Sequence, residues 1–192
     1  EFILSDNDIM LGHSLGEYTA LACSKKMDLK ECSQILIKRG ELMHTAVEPN
    51  KSGMAAIIGF DSNYVESEIN SNKLNIEIAN DNSPQQIVVS GTIDDLKKSE
   101  IIFKKNGVKK FILLNVSAAF HSKFMLSAQE KMNEYIKKVN FQETSISIIS
   151  NFSGKICKDL DEINYNLINQ MSNRVKWVES INTLAKFGEK NI

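Results

Sequence analysis

Ser14, Arg39 and His121 are the side chains of this chain whose types and settings suit covalent chemistry. Ser14 stands at the centre of Gly12-His13-Ser14-Leu15-Gly16, a G-x-S-x-G pattern. A serine there is expected on a sharp strand-to-helix turn with its hydroxyl pushed outward, and the helix behind it aims unpaired N–H groups at any oxyanion that forms. Glycines at 12 and 16 are expected where a Cβ would collide with the neighbouring strand or helix. By chance the bare pattern arises in roughly six of a hundred chains of this length, and with His13 included in about one in a thousand. A serine hydroxyl is a weak nucleophile and needs a base. His13, beside it on the turn, is read as a packing or turn residue.

Arg39 falls inside the clearest amphipathic helix, Leu29 to Glu48, which Asp28 introduces as N-cap and Pro49 stops. At 100° per residue, Leu29, Cys32, Ile35, Leu36, Leu42, Met43, Ala46 and Val47 form one apolar arc, and Arg39 lies in its middle. A guanidinium facing the interior must find an anion, either an internal Asp or Glu or the carboxylate of a substrate. His121 follows Ser117-Ala118-Ala119-Phe120 and precedes an amphipathic helix carrying Met125, Ala128, Met132, Tyr135, Ile136 and Val139 on one face. A strand-to-helix junction of this kind is where active-site groups project, and an elbow serine in the same chain needs such a base.

The elements that must position these groups follow from periodicity. Ile9 to Leu11 reads as a strand and Leu15 to Cys23 as a helix. From Gly53 the pattern shortens. Strands are expected over 54–59, 75–80, 86–90 and 111–116, with helices over 62–70 and 93–105, Thr92 as an N-cap and Asn106-Gly107 as a stop. The order βαββαβ is that of a ferredoxin-like subdomain inserted into a larger α/β unit. Asn80-Asp81-Asn82-Ser83-Pro84 reads as a turn between its middle strands. A further core strand is expected over 145–150, a turn over 151–154, and helices over 161–171 and 177–187.

The 192 residues are 42% hydrophobic and 24% charged, enough for a real core and unlike a disordered or fibrous chain. A net charge of −1 gives no reason to expect nucleic-acid or membrane binding, and Lys104-Lys105 with Lys109-Lys110 reads as a solvated face. No apolar run is long enough to span a bilayer. Cys23, Cys32 and Cys157 lack C-x-x-C pairing, so buried thiols in a reducing compartment are expected rather than disulfides or a metal site. Asn makes up about one residue in ten, a usage that fits an AT-rich genome.

Together, Gly12-His13-Ser14-Leu15-Gly16-Glu17-Tyr18, Arg39 and Ala119-Phe120-His121 resemble malonyl-CoA:acyl carrier protein transacylases and related acyltransferase domains. The likeness extends to Lys38-Arg39-Gly40, Met54-Ala55-Ala56-Ile57-Ile58-Gly59, Asn82-Ser83-Pro84 with Gln86, and Val175 with Trp177. It implies a hydrolase-like three-layer α/β/α core, residues 1–51 and 118–192, with the ferredoxin-like subdomain at 52–117. Ser14 is implied as nucleophile, His121 as its base and Arg39 as the clamp on the malonyl carboxylate. Among substrate-binding residues, Leu15 would offer its N–H to the oxyanion, Phe120 would fill the space of a branched extender, and Asn82 would contact substrate. Malonyl-CoA and acyl carrier protein are the implied partners in type II fatty acid synthesis. No cofactor or metal is needed beyond the phosphopantetheine that the partner carries, and a soluble monomer is expected in a bacterial cytoplasm or a plastid-type organelle such as the apicoplast. The family's N-terminal Gly-Gln-Gly and C-terminal Gly-Pro-Gly segments are absent from the sequence, the latter with the polar group that orients the histidine, so a fragment is expected. Arg174 stands where the family usually has proline.

Two other readings remain beside this one. A serine esterase or thioesterase would use the same elbow, since the elbow alone does not choose between water and a thiol as acceptor. A non-catalytic module that binds carrier protein would need neither flank.

Overall fold

The short apolar run before Gly12 pairs with a run far along the chain, and that pairing sets the larger part of the architecture. In the computed structural model, which describes residues 4–5, 8–48 and 50–187, β1 (Ile9–Met10) is followed by α1 (Leu15–Cys23) and α2 (Leu29–Thr45). The Asp28 carboxylate accepts from the Lys30 and Glu31 N–H groups and caps α2 as expected. This helix ends at Thr45 rather than Glu48. Pro49, read as its stop, lies outside the described residues.

Next come β2 (Ser52–Ile58), α3 (Ser62–Ser71), β3 (Ile76–Ser83), β4 (Gln86–Thr92), α4 (Ile93–Lys105) and β5 (Lys110–Leu113). These four strands form one antiparallel sheet in the order β3-β4-β2-β5, which is the ferredoxin-like arrangement. Both faces of β2 are covered, so it reads as a near-continuous apolar run: Ala55 and Ile57 pack toward Leu96 and Phe103, while Met54 and Ala56 join Ala79, Val88 and Phe120 on the other side.

Residues 80–83, read from composition as a turn, are strand. Here β3 runs on to Ser83 and only the Pro84-Gln85 pair turns. Tertiary pairing overrides the local signal, because Asp81 N–H donates to Val175 O at 3.0 Å and Val175 N–H to Ala79 O at 2.8 Å. Arg174 reinforces the junction with an ion pair to Asp81 at 2.9 Å and a longer one to Glu66 at 3.8 Å. Prolonged in this way, β3 joins the small sheet to the loop after residue 169.

Helix α5 (Leu126–Ile136), β6 (Ser147–Ile148), α6 (Leu160–Asn169) and α7 (Trp177–Ala185) complete the larger part. Strand β6 runs parallel to β1, with Ser147 N–H on Asp8 O and Ile149 N–H on Met10 O. It is shorter than the six residues expected, because its partner strand turns away at the elbow and the chain itself turns at Ser150, whose carbonyl takes the Gly154 N–H at 2.8 Å. Around this pair Tyr18, Leu21, Met27, Cys32, Ile35, Met125, Met132, Ile136, Ile148 and Leu167 form the main core. Tyr135 departs from the expected apolar face of α5 and is 40% exposed, with the Lys38 ammonium 5.8 Å from its ring centre. Cys32 is buried, but Cys23, at the outward end of α1, is exposed. No helix among the described residues is long and apolar enough to cross a membrane, and none of their side chains form a metal-binding cluster.

Candidate active site

Between β1 and α1 the chain reverses over Gly12-His13-Ser14, and the backbone strain falls on the serine itself, at φ 52° and ψ −103°. A non-glycine residue held there costs about 1 to 3 kcal/mol and needs surrounding contacts to keep it. Asn151, at the end of the strand beside β1, supplies them: its Oδ1 accepts the Ser14 N–H at 2.5 Å and its Nδ2 donates to Gly12 O at 2.8 Å. Gly12 is required, because a Cβ there would run into the Gly16 backbone. Gly16 is not required in the same way, since a Cβ on it would meet open space; the collision is one-sided. The Ser14 amide is committed to Asn151, which leaves the first-turn N–H of Leu15 as the candidate donor to an oxyanion. The Leu15 side chain is 51% exposed.

The structure brings the three separated residues together. His121 Nε2 lies 2.8 Å from Ser14 Oγ, and Arg39 Nη2 donates to the same oxygen at 2.9 Å. His121 Nδ1 is 3.0 Å from Gln170 O, and a carbonyl there can only accept, so the ring carries its proton on Nδ1 and offers Nε2 as a base. The sequence reading left this orienting group to a segment outside the chain, whereas Gln170 within it does the work. Burial, with the Arg39 cation second, pushes the His121 pKa down to about 4. Like Ser14, His121 has a positive φ, of 53°. The loop that holds it is tied to the small sheet: Ser90 Oγ donates to Phe120 O at 2.6 Å, and Ala119 N–H donates to Ser52 Oγ at 3.2 Å.

Only 6% of Arg39 is exposed, yet no carboxylate among the described residues lies within ion-pair distance of it. Its guanidinium carbon is 5.5 Å from the Tyr18 ring centre, Nη2 also donates to Gln170 Oε1 at 3.2 Å, and Nε is buried without a partner. A cavity of about 480 Å³ opens over these groups, lined by His13, Ser14, Arg39, Gly40, Met43, His44, Met54, Asn80, Ser117, Phe120 and His121. Phe120 therefore stands at the site. Asn82 does not: its Oδ1 is held by His13 Nε2 at 2.8 Å, and Asn80, two residues earlier on the same strand, stands in the cavity wall instead. His13, edge-on to Trp177 at 5.3 Å, has the packing role read for it.

Three contributors escaped the sequence reading. Asn151 sits in what reads as an ordinary turn, although its place at the carboxyl end of a strand parallel to β1 is a topological cue. Gln170 and Glu17 carry no such cue. Gln170 Nε2 donates to Ser14 O at 2.9 Å and to Glu17 Oε2 at 2.7 Å, and Asn151 N–H donates to the same carboxylate at 3.2 Å.

With His121 as base to Ser14, the neutral ring would be the active form, and its lowered pKa keeps it neutral from pH 8 down toward 5. Single-turnover acylation of Ser14 should stay level over that range and fall only near pH 4, instead of halving near the ordinary histidine value of about 6.5. Rapid-quench rates between pH 4 and 8 check this.

Known proteins resemble this chain over nearly all of its length. The profile of the acyl transferase domain family matches residues 5–188. The malonyl CoA-acyl carrier protein transacylase of Bacillus subtilis is 36% identical over 184 residues, which are 94% of this chain and 58% of that protein. The crystal structure of an acyl-carrier-protein S-malonyltransferase from Burkholderia pseudomallei superposes with a TM-score of 0.91 at 33% identity, covering 96% of this chain and 61% of that one. A malonyl-transacylase solved in complex with a type II polyketide acyl-carrier protein gives a TM-score of 0.89 at 29% identity, covering 94% and 59%. The chain thus spans about three fifths of the length of these relatives. A family match over nearly all of the sequence, joined to an elbow serine within hydrogen-bond reach of its base, establishes that this chain belongs to the acyl transferase domain family.

Proposed function

We propose that the site transfers a malonyl group from malonyl-CoA to the phosphopantetheine thiol of an acyl carrier protein through a malonyl-serine ester. The observation that carries this reading is the buried Arg39 guanidinium, which faces the serine and the cavity and has no carboxylate partner among the described residues. An esterase acting on neutral acyl groups gains nothing from such a cation, because burying it unpaired is unfavourable. A substrate carboxylate supplies the missing anion.

In the first step His121 Nε2 takes the Ser14 proton as Oγ attacks the thioester carbonyl. The Leu15 N–H stabilises the tetrahedral oxyanion, and the thiolate of coenzyme A leaves, taking the proton from His121. Arg39 Nη2, already bonded to Oγ, disperses charge on the attacking oxygen. The second step reverses the first, with the carrier's thiol giving its proton to His121 and attacking the ester carbonyl, and Ser14 leaving with the proton returned. Both steps exchange an acyl group between sulfur and oxygen without redox change. Relatives named for polyketide as well as general carrier-protein malonylation support a discrete carrier as acceptor. A reducing compartment, bacterial or plastid-type, suits three cysteines that form no disulfide.

Incubation with labelled malonyl-CoA, followed by intact-mass measurement and then addition of phosphopantetheinylated carrier protein, tests the proposal. The expected result is a malonyl adduct on Ser14 that chases onto the carrier. Free malonate without chase would identify a hydrolase, and no adduct would leave a carrier-binding module.

A further inference from the structure

Glu17 stands in the first turn of α1 with 2% of its surface exposed, and no cation lies within ion-pair distance of it among the described residues. An acid in a helix's first turn is ordinarily favoured by the helix dipole at the surface. Burial removes that explanation, since it pushes the Glu17 carboxyl up to about 6 and must be offset by specific hydrogen bonds. Those bonds come from Gln170 Nε2 at 2.7 Å, Asn151 N–H at 3.2 Å and the Ser150 hydroxyl, and none of the groups involved belongs to the substrate cavity's lining.

Gln170 is 1% exposed, and its side chain meets three fixed neighbours. The Glu17 carboxylate and Ser14 O can only accept, whereas the Arg39 guanidinium can only donate. A single amide orientation satisfies all three, with nitrogen toward Glu17 and Ser14 O, and oxygen toward Arg39 Nη2. Turning the amide over would set its N–H groups against the guanidinium and its oxygen against two acceptors. Glu17 is the charged member that decides between the orientations. Nη2 is thereby anchored, and the fork it belongs to lines the substrate cavity.

We infer that Glu17 is a positioning residue for acyl selectivity: by locking the Gln170 amide it holds the Arg39 fork in the attitude that receives a substrate carboxylate. This rests on the malonyl reading above. Removing the lock lets Gln170 turn and Arg39 swing, which weakens recognition of malonyl while the serine and histidine still acylate with acetyl.

The test is the ratio of Ser14 acylation rates by malonyl-CoA and acetyl-CoA, read by intact mass in the full chain. Glu17→Leu should lower that ratio about tenfold, the effect expected for losing one hydrogen bond on a charged group. Glu17→Gln should stay within about twofold of wild type, since an amide oxygen accepts the Gln170 and Asn151 N–H groups that share one carboxylate oxygen. Gln170→Met keeps the backbone carbonyl that holds His121 and should match Glu17→Leu, so it decides the matter if Glu17→Leu does not fold. In the Arg39→Ala background Glu17→Leu should change the ratio no further, as required of a residue acting through Arg39. An equal loss with both thioesters in Glu17→Leu and Gln170→Met would overturn the inference while leaving the malonyl reading intact. An unchanged ratio in Arg39→Ala alone would overturn both.

Discussion

Ser14→Ala is expected to abolish acylation by malonyl-CoA, and His121→Ala to slow it by roughly 10²- to 10⁴-fold. The serine supplies the atom that becomes acylated, and no other hydroxyl lies at the elbow, so nothing substitutes for it. The histidine's share is smaller because the Leu15 N–H and the Arg39 Nη2 contact to Oγ at 2.9 Å persist without it. Residual attack then relies on water to take the proton. The two changes act on one step, so the double variant should be no worse than Ser14→Ala. Both variants should fold, since Ala at 14 keeps the N–H bonded to Asn151. Stopped-flow or quench acylation assays, with circular dichroism as the folding control, give the comparison. Near-normal acylation by either variant would remove the pair from the mechanism.

Arg39→Ala is expected to reduce the preference for malonyl-CoA over acetyl-CoA by roughly two to three powers of ten in kcat/KM. Malonyl differs from acetyl by a terminal carboxylate, and a guanidinium can hold it through two parallel charge-assisted hydrogen bonds, each worth roughly 1.5 to 3 kcal/mol. Desolvation of both charges leaves a net preference of about 3 to 4 kcal/mol. The cation is already desolvated in the free protein, at 6% exposure, so part of that penalty is borne by the fold. Its Nη2 contacts to Ser14 Oγ and Gln170 Oε1 orient the fork before substrate arrives. Arg39→Lys keeps the charge without the planar fork and should retain only part of the preference. Arg39→Ala should handle acetyl-CoA relatively better, because no unpaired cation remains in the cavity. The measurement is kcat/KM for both thioesters with all three proteins, and an unchanged ratio in Arg39→Ala would return the esterase reading to favour.

Much of this protein was legible in its residues because the relevant signals are local. A glycine four residues before Gly16 and two before Ser14, between an apolar run and a helical one, announces the elbow, and the clash a Cβ at Gly12 would make with the Gly16 backbone is the reason. An arginine in the apolar arc of α2 declares an unmet anion whatever the tertiary fold. The βαββαβ order followed from alternating periods and from Thr92 as a cap, whose side chain does accept a first-turn amide. What the chain could not announce were the contacts made across 49 to 156 residues. Asn80 to Ser83 looks like a turn, and becomes strand because it pairs with β4 on one side and Val175 on the other. Asn80 reaches the cavity, while Asn82 is held by His13 across 69 residues of sequence. Gln170 holds His121, Arg39, Ser14 and Glu17 at once, at sequence separations of 49, 131, 156 and 153. A glutamine at a helix end has no periodicity or spacing to mark it. Hydrogen bonds are directional and short, so their partners are settled only when packing brings distant backbone to within 3 Å.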